Sequence, residues 1–184
     1  MEITPAKTCG PCNLCCKLVQ VDSLAKPAGT WCKHALPGKG CAIHGAHPDD
    51  CRGYRCGWLE SPVLGPEWRP NVSKFILGAD LNGKRLCIVV NPAHPNAWKA
   101  QPYYNAIKEW SKGAWTNEGQ VVVFVDRWAC VVFPEEDLVV GPFSPGEELI
   151  SGYVGVGAVR QPMFQLKRQD GTVGEGRGGF YPVS

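Results

Sequence analysis

A chain of 184 residues, 44% of them hydrophobic, suits one domain with an appendage or two small domains, and it can bury a real core. Its net charge of +2 and pI near 8.0 create no strong field, so charge points neither to nucleic acid nor to an acidic membrane surface. No apolar run of about 18 residues is present, and no membrane-spanning helix is expected.

The first feature along the chain is also the densest. Eight of the ten cysteines fall within residues 9–56: Cys9, Cys12, Cys15 and Cys16 in a CxxCxxCC block, then Cys32, Cys41, Cys51 and Cys56. A two-residue spacer lets a tight turn bring two sulfurs to one centre, and zinc then needs two more ligands at about 2.3 Å. A third cysteine at the same interval resembles the run that holds three irons of a cubane cluster, its fourth ligand arriving from elsewhere. None of the four later cysteines is followed by proline, which counts against a ferredoxin. Neighbouring side chains diverge, so Cys15 and Cys16 do not both end on one mononuclear ion. One of them serves a second centre, bridges two metals or stays free. Eight thiols divide into two four-cysteine sites, or into one site plus leftovers, and spacing does not choose between these.

A disulfide framework is the competing reading. No positively charged start followed by an apolar run precedes Cys9, so a reducing, cytoplasmic setting is expected, where clustered thiols mean metal. His34, two residues after Cys32, and His44, three after Cys41, are further candidate ligands; the alternative is that each bonds a loop carbonyl. His47 and His94 precede prolines and are assigned no role. Arg52 and Arg55, with Lys33 and Lys39, make the region locally basic and would offset thiolate charge.

These residues resemble the CxxCxxCC, or YkgJ-type, zinc- or iron-chelating family over residues 9–56. After the opening block and a single cysteine, the family reads C-x-I-Y-x-x-R-P-x-x-C-R and closes on a last cysteine. This chain supplies Cys41, Ile43, Pro48, Cys51, Arg52 and Cys56, with His44 in place of the tyrosine and His47 in place of the arginine. The resemblance implies that the eight cysteines bind zinc or an iron–sulfur cluster. A similar block occurs in flagellin lysine methylases, which pair a cluster with S-adenosylmethionine; only the cysteine block corresponds, and that activity is not carried over.

Leu18, Val19 and Val21 suggest a short strand, and residues 23–29 a helical turn stopped by Pro27 and Gly29. Residues 31–58 show little periodicity, so metal bonds would have to replace a hydrophobic core there. Pro62, Pro66 and Pro70 mark a linker or wrapping segment. Phe75, Leu77, Ala79 and Leu81 alternate, Asn82-Gly83 reads as a two-residue hairpin turn, and Leu86, Ile88 and Val90 alternate on the return. Pro102 opens a predicted helix with Tyr103, Ala106, Ile107 and Trp110 on one face and Gly113 as its stop. Residues 120–125 and 128–133 are predicted strands joined by an Asp126-Arg127 turn. Cys87 and Cys130 lie in strands and read as core thiols. A turn is expected at 135–137 and a loop to Pro145. Beyond them come a strand over 149–159, another over 163–167 turning at Asp170-Gly171 into a weak last strand, and a mobile tail over 174–179.

The predicted architecture is α+β: an irregular cysteine-rich metal-binding module packed on a small antiparallel β-sheet with one main helix. Its divisions are a module at 1–60, a proline-rich linker at 61–71 and a small α+β domain at 72–184. No carboxylate pair, serine elbow, HExxH or P-loop accompanies the cysteines, so a non-catalytic metal or cluster protein that engages a protein partner ranks first. An enzyme using an open coordination site or a free Cys16 thiolate, with His34 or His44 as base, is the second reading. A zinc-held interaction or nucleic-acid module is the third, and there Trp31, Tyr54 and Trp58 are better used in shielding the metal than in stacking on bases.

Overall fold

The computed structural model describes residues 7–144, 146–154, 161–168 and 170–175. Helix α1 (Cys15–Leu18) is a single turn that takes in Leu18, the first residue of the strand expected from Leu18, Val19 and Val21. Its spacing explains the difference. Leu14 and Leu18, four residues apart, share one side of the turn and pack on Ile76, with Val19 and Val89 beside them. Val21 makes only a bridge to Lys26. The stretch that follows carries a two-stranded hairpin, β1 (Ala35–Leu36) with β2 (Gly40–Cys41), and three short helices: α2 (Asp49–Gly53), α3 (Gly57–Glu60) and α4 (Pro70–Ser73). The proline-rich segment wraps the core: Trp68 is buried and Leu64 packs beside it.

The main sheet is assembled from β3 (Phe75–Asp80), β4 (Arg85–Val90), β5 (Gln120–Val125), β6 (Trp128–Val132) and β7 (Asp137–Val140), in that spatial order. It is mixed rather than antiparallel, because β4 and β5 run parallel in the register Arg85↔Gln120 to Val90↔Val125. The crossover through α5 (Tyr103–Thr116) causes this, since a helical return brings the chain back in at the same end of the sheet. Residues 75–80 and 85–90 pair as expected, but the register Asp80↔Arg85 leaves a four-residue loop. Leu81, Asn82 and Gly83 are all left-handed in it. Gly113 does not stop α5; the helix runs three residues further, and Asn117 caps it by donating from Nδ2 to the Gly113 carbonyl at 2.8 Å. The two-residue turn Asp126-Arg127 is present.

One face of the sheet presents Phe75, Leu77, Ile88, Val121, Val123 and Cys130 to Tyr103 and Ile107 of α5 and to Trp58, Trp68 and Trp98. Phe75, Ile88, Ile107 and Val123 have no exposed surface, and such burial stabilises by about 1.5–3 kcal/mol for each side chain. The other face is shared. Val122, Ala129, Val131 and Val140 meet Leu166 and, at their margin, Leu149 and Phe164 of a second, antiparallel sheet formed by β8 (Glu148–Val154), β9 (Gln161–Lys167) and β10 (Val173–Glu175). Ile76 and Val89 instead receive α1. The cysteine-rich stretch therefore sits at the β3–β4 end of the sheet, and Cys56 and Trp58 belong to the same core as the strands.

Strand β7 falls where a turn and loop were expected, and Gly174 and Glu175 are in β10 rather than in a tail. The rest of the expected tail, and residues 155–159 of the strand expected over 149–159, lie outside the described residues. No helix among the described residues is long and apolar enough to cross a membrane.

Candidate metal centre

All ten cysteines are free thiols. The eight between Cys9 and Cys56 line one cavity of about 120 Å³, together with Asn13, Tyr54, Trp58 and Ile76. Cys87 and Cys130 stay outside it, in β4 and β6. Among the described residues no three His, Cys, Asp or Glu side chains converge closely enough to hold a metal ion. The thiols are thus spread along the wall of a chamber rather than drawn to a point. A zinc tetrahedron at about 2.3 Å needs its sulfurs roughly 3.8 Å apart.

Local backbone structure explains how the thiols gather. The Cys12 amide donates to the Cys9 carbonyl at 2.9 Å, turning the first CxxC back on itself, and α1 then points Cys15 and Cys16 inward. The Cys32 amide donates to the Cys16 carbonyl at 2.8 Å. The β1–β2 hairpin returns Cys41 opposite Ala35. Asn13, buried beneath the block, donates from Nδ2 to the Leu36 carbonyl at 2.9 Å and so fastens that hairpin to the CxxCxxCC loop. The approach is close, since a Cβ on Gly40 would stand 2.8 Å from the Gly10 carbonyl oxygen. Asp50 accepts the Ser23 amide at 3.0 Å, bringing α2 and Cys51 to the turn after α1. Cys56 leads into α3, which lies against β3 where Gly57 meets Leu77; a Cβ there would be 2.9 Å from the Leu77 Cβ.

Two cations serve this region, and neither belongs to the basic set expected from the sequence. Lys26 is 6% exposed, and its ammonium donates to the carbonyls of Lys17, Val19 and Pro27 at 3.3, 2.5 and 2.9 Å. Arg69 donates to the Cys9 carbonyl and lies over the Trp58 ring at 5.4 Å. Arg52 instead pairs with exposed Asp49 at 2.5 Å, and Arg55 is exposed.

The thiols differ in acidity. The hydrogen bond Cys15 donates to Cys16 pushes Cys15 far up, with burial adding to it. Accepting that bond brings Cys16 down to about 7 against its burial, and the Lys26 charge helps. Burial raises Cys9, with Cys56 and Cys12 adding to it and Arg69 opposing. Burial likewise raises Cys51, helped by Cys16, Cys32 and Cys41. Burial also raises Cys56, while the amides of Leu59 and Trp58 pull it back.

His34 and His44 both line the cavity, and the His34 amide lies 3.5 Å from the Cys32 sulfur. His47 lines it too, its ring stacked on His44 at 5.2 Å and its Nδ1 accepting the Gly45 amide at 3.1 Å. The His-Pro dipeptide had suggested only a turn. Tyr54 and Trp58 line the chamber. Trp31 does not: it is 44% exposed, outside the chamber wall, with the Lys17 ammonium over its ring.

Comparison of the chain with family models, curated proteins and solved structures finds no match.

Proposed function

We propose that this chain is a thiolate-ligated metal protein whose eight N-terminal cysteines hold zinc or an iron–sulfur cluster. The centre serves a structural or electron-carrying role toward a protein partner rather than catalysis by the chain itself. One observation carries the reading: the eight cysteines of residues 9–56 line a single chamber, and the two outside that stretch do not. The donor set fits such a group. Thiolates suit zinc and iron–sulfur centres, and half-buried Arg69 and buried Lys26 supply positive charge beside them. A reducing, cytoplasmic location accords with ten unpaired thiols. The resemblance in cysteine spacing to the YkgJ-type family points the same way.

The test is iron, zinc and acid-labile sulfide per chain, with a visible spectrum, on protein purified without air or added metal. Iron with sulfide and a brown absorbance identifies a cluster. Zinc without colour identifies a structural site. Protein that carries no metal and whose eight thiols all alkylate freely overturns the proposal.

The lowered pKa of Cys16, which accepts a hydrogen bond from Cys15 and lies beside Lys26, favours a second reading, a reactive thiolate with His34 or His44 as base. In that case Cys16 alone alkylates in the metal-loaded protein; its protection together with the other seven removes the idea.

A further inference from the structure

We infer that β8 is a docking edge: an extended segment of a partner protein, its apolar residues alternating with Lys or Arg, adds to β8 as a further strand over β3 and β4. This names the partner class that the metal-binding reading leaves open and rests on that reading for its purpose, while the docking itself is measured apart from metal.

A cavity of about 520 Å³ runs along β8, and Asp80, Arg85, Phe124 and Phe143 form its other walls. Successive side chains of a strand point to opposite faces, so a cavity against one face meets every second residue. This one meets residues 148–151 in unbroken succession, which places it along the strand's edge. Among the described residues β8 pairs with β9 alone and is the outer strand of its sheet. It has seven residues, against six in β3, four in β7 and three in β10, the other edge strands of the two larger sheets. Its sequence holds neither the lysine nor the proline that commonly guards an edge.

The edge is held ready for a partner strand. Ser151 accepts from Arg85 Nη2 at 2.6 Å and donates to Gln120 Oε1, which pins β8 over β4 and β5. Arg85 is 6% exposed, and Asp80 steadies its Nη1 at 3.2 Å. Beside β8 the same face of the main sheet is bare. A Cβ on Gly78 would meet nothing within 4 Å, and Cys87, paired with Gly78, is half-buried. Helix α1 covers that face only at Ile76 and Val89. A strand added about 4.8 Å from β8 lies over the bare strip. Gly78 is two residues, roughly 7 Å, from Ile76, so the docked segment reaches the flank of α1 and the thiol chamber.

Charge selects the occupant. Asp80, Glu147 and Glu148 face Arg85 in the groove, and Arg168 stands 3.6 Å from Glu147. Three carboxylates against two guanidiniums leave an acidic balance, which favours a basic segment and refuses an acidic one. Phe124 and Phe143 give the alternate apolar residues a surface to pack on, the usual division of labour in strand addition.

The experiment is fluorescence anisotropy on the full chain, purified without air, with labelled hexapeptides in which Val alternates with Lys, Glu or Ser. A fourth probe is the Lys peptide N-methylated throughout, which keeps its charge and loses its ladder donors. The Lys peptide should bind at least about tenfold more tightly than the Ser peptide, and the Glu peptide most weakly. N-methylation should cost about tenfold or more, and Glu148→Lys should reverse the preference between the Lys and Glu peptides. Equal binding of the Lys and Glu peptides, full binding of the N-methylated peptide, or no binding tighter than about 1 mM overturns the proposal. Dimerisation that excludes the peptide puts a second copy on the edge and also overturns it. Metal per chain is measured on the same samples and should be the same in Glu148→Lys. Metal without peptide binding defeats the docking edge alone, and peptide binding without metal defeats the metal reading alone.

Discussion

From Phe75 to Val140 the chain is held by complete burial of large apolar side chains, among them Phe75, Ile88, Ile107 and Val123. Ahead of Cys56 the buried apolar side chains among the described residues are Leu14, Leu18 and Val21, with polar Asn13 and Lys26 buried beside them. The sheet carries its own driving force. The cysteine-rich stretch has too little apolar surface to order about fifty residues against their conformational entropy, and its folding should depend on what the thiols bind.

The largest effect expected from this contrast is selective unfolding. Structural zinc contributes about 10–16 kcal/mol in small zinc modules. A chelator strong enough to empty the chamber should therefore abolish hydrogen-exchange protection over residues 7–55 while β3 to β6 keep theirs. Protection surviving metal loss would break the comparison.

Truncating the apolar side is the next largest. Ile107→Ala in α5 removes a fully buried side chain and should lower global stability by about 2–5 kcal/mol in denaturant titration. Metal per chain under native conditions should not change.

Lys26→Met tests the polar interior of the module. It keeps most of the side chain's bulk but leaves the carbonyls of Lys17, Val19 and Pro27 without their donor, a loss of about 1–3 kcal/mol. The effect should appear as faster exchange within residues 14–27 and nowhere in the sheet.

The smallest effect at neutral pH concerns Cys130, whose burial pushes its thiol from 9.0 up to about 12. A raised value means the native state favours the neutral thiol. That stabilisation is complete below about pH 9 and is lost as pH climbs toward 12. Cys130→Val should flatten the alkaline limb of the sheet's stability profile and leave metal content unchanged. The thiol chamber should fail at the acid end instead, because protons compete with metal for thiolates.

Alternation made β3, β4, β5 and β6 legible, since a period of two with β-branched residues has few other readings. Strand β7 was not legible because it starts on Asp137, a charge at odds with a strand until Lys108 and Tyr104 of α5 arrive at 2.7 and 2.8 Å to pair with it. The parallel pairing of β4 and β5 was hidden for a related reason: strand sequences carry alternation but not direction. In the candidate site, cysteine spacing exposed all eight thiols that line the chamber. Lys26 and Arg69 were invisible, because an isolated lysine before a proline and an arginine among prolines carry no periodic signal. His47 was passed over because the following proline accounted for it locally.

The strap between Arg69 and Cys9 spans 60 residues, which has a consequence during synthesis. A ribosome adding roughly 5–20 residues per second needs about 3–12 s to extend the chain from Cys9 to Arg69. Through that interval Cys9 is outside or in the exit tunnel without its guanidinium. Cys9 is thus made well ahead of the guanidinium that holds it, and its thiol is open to oxidants or to a metal donor for as long as the nascent chain waits.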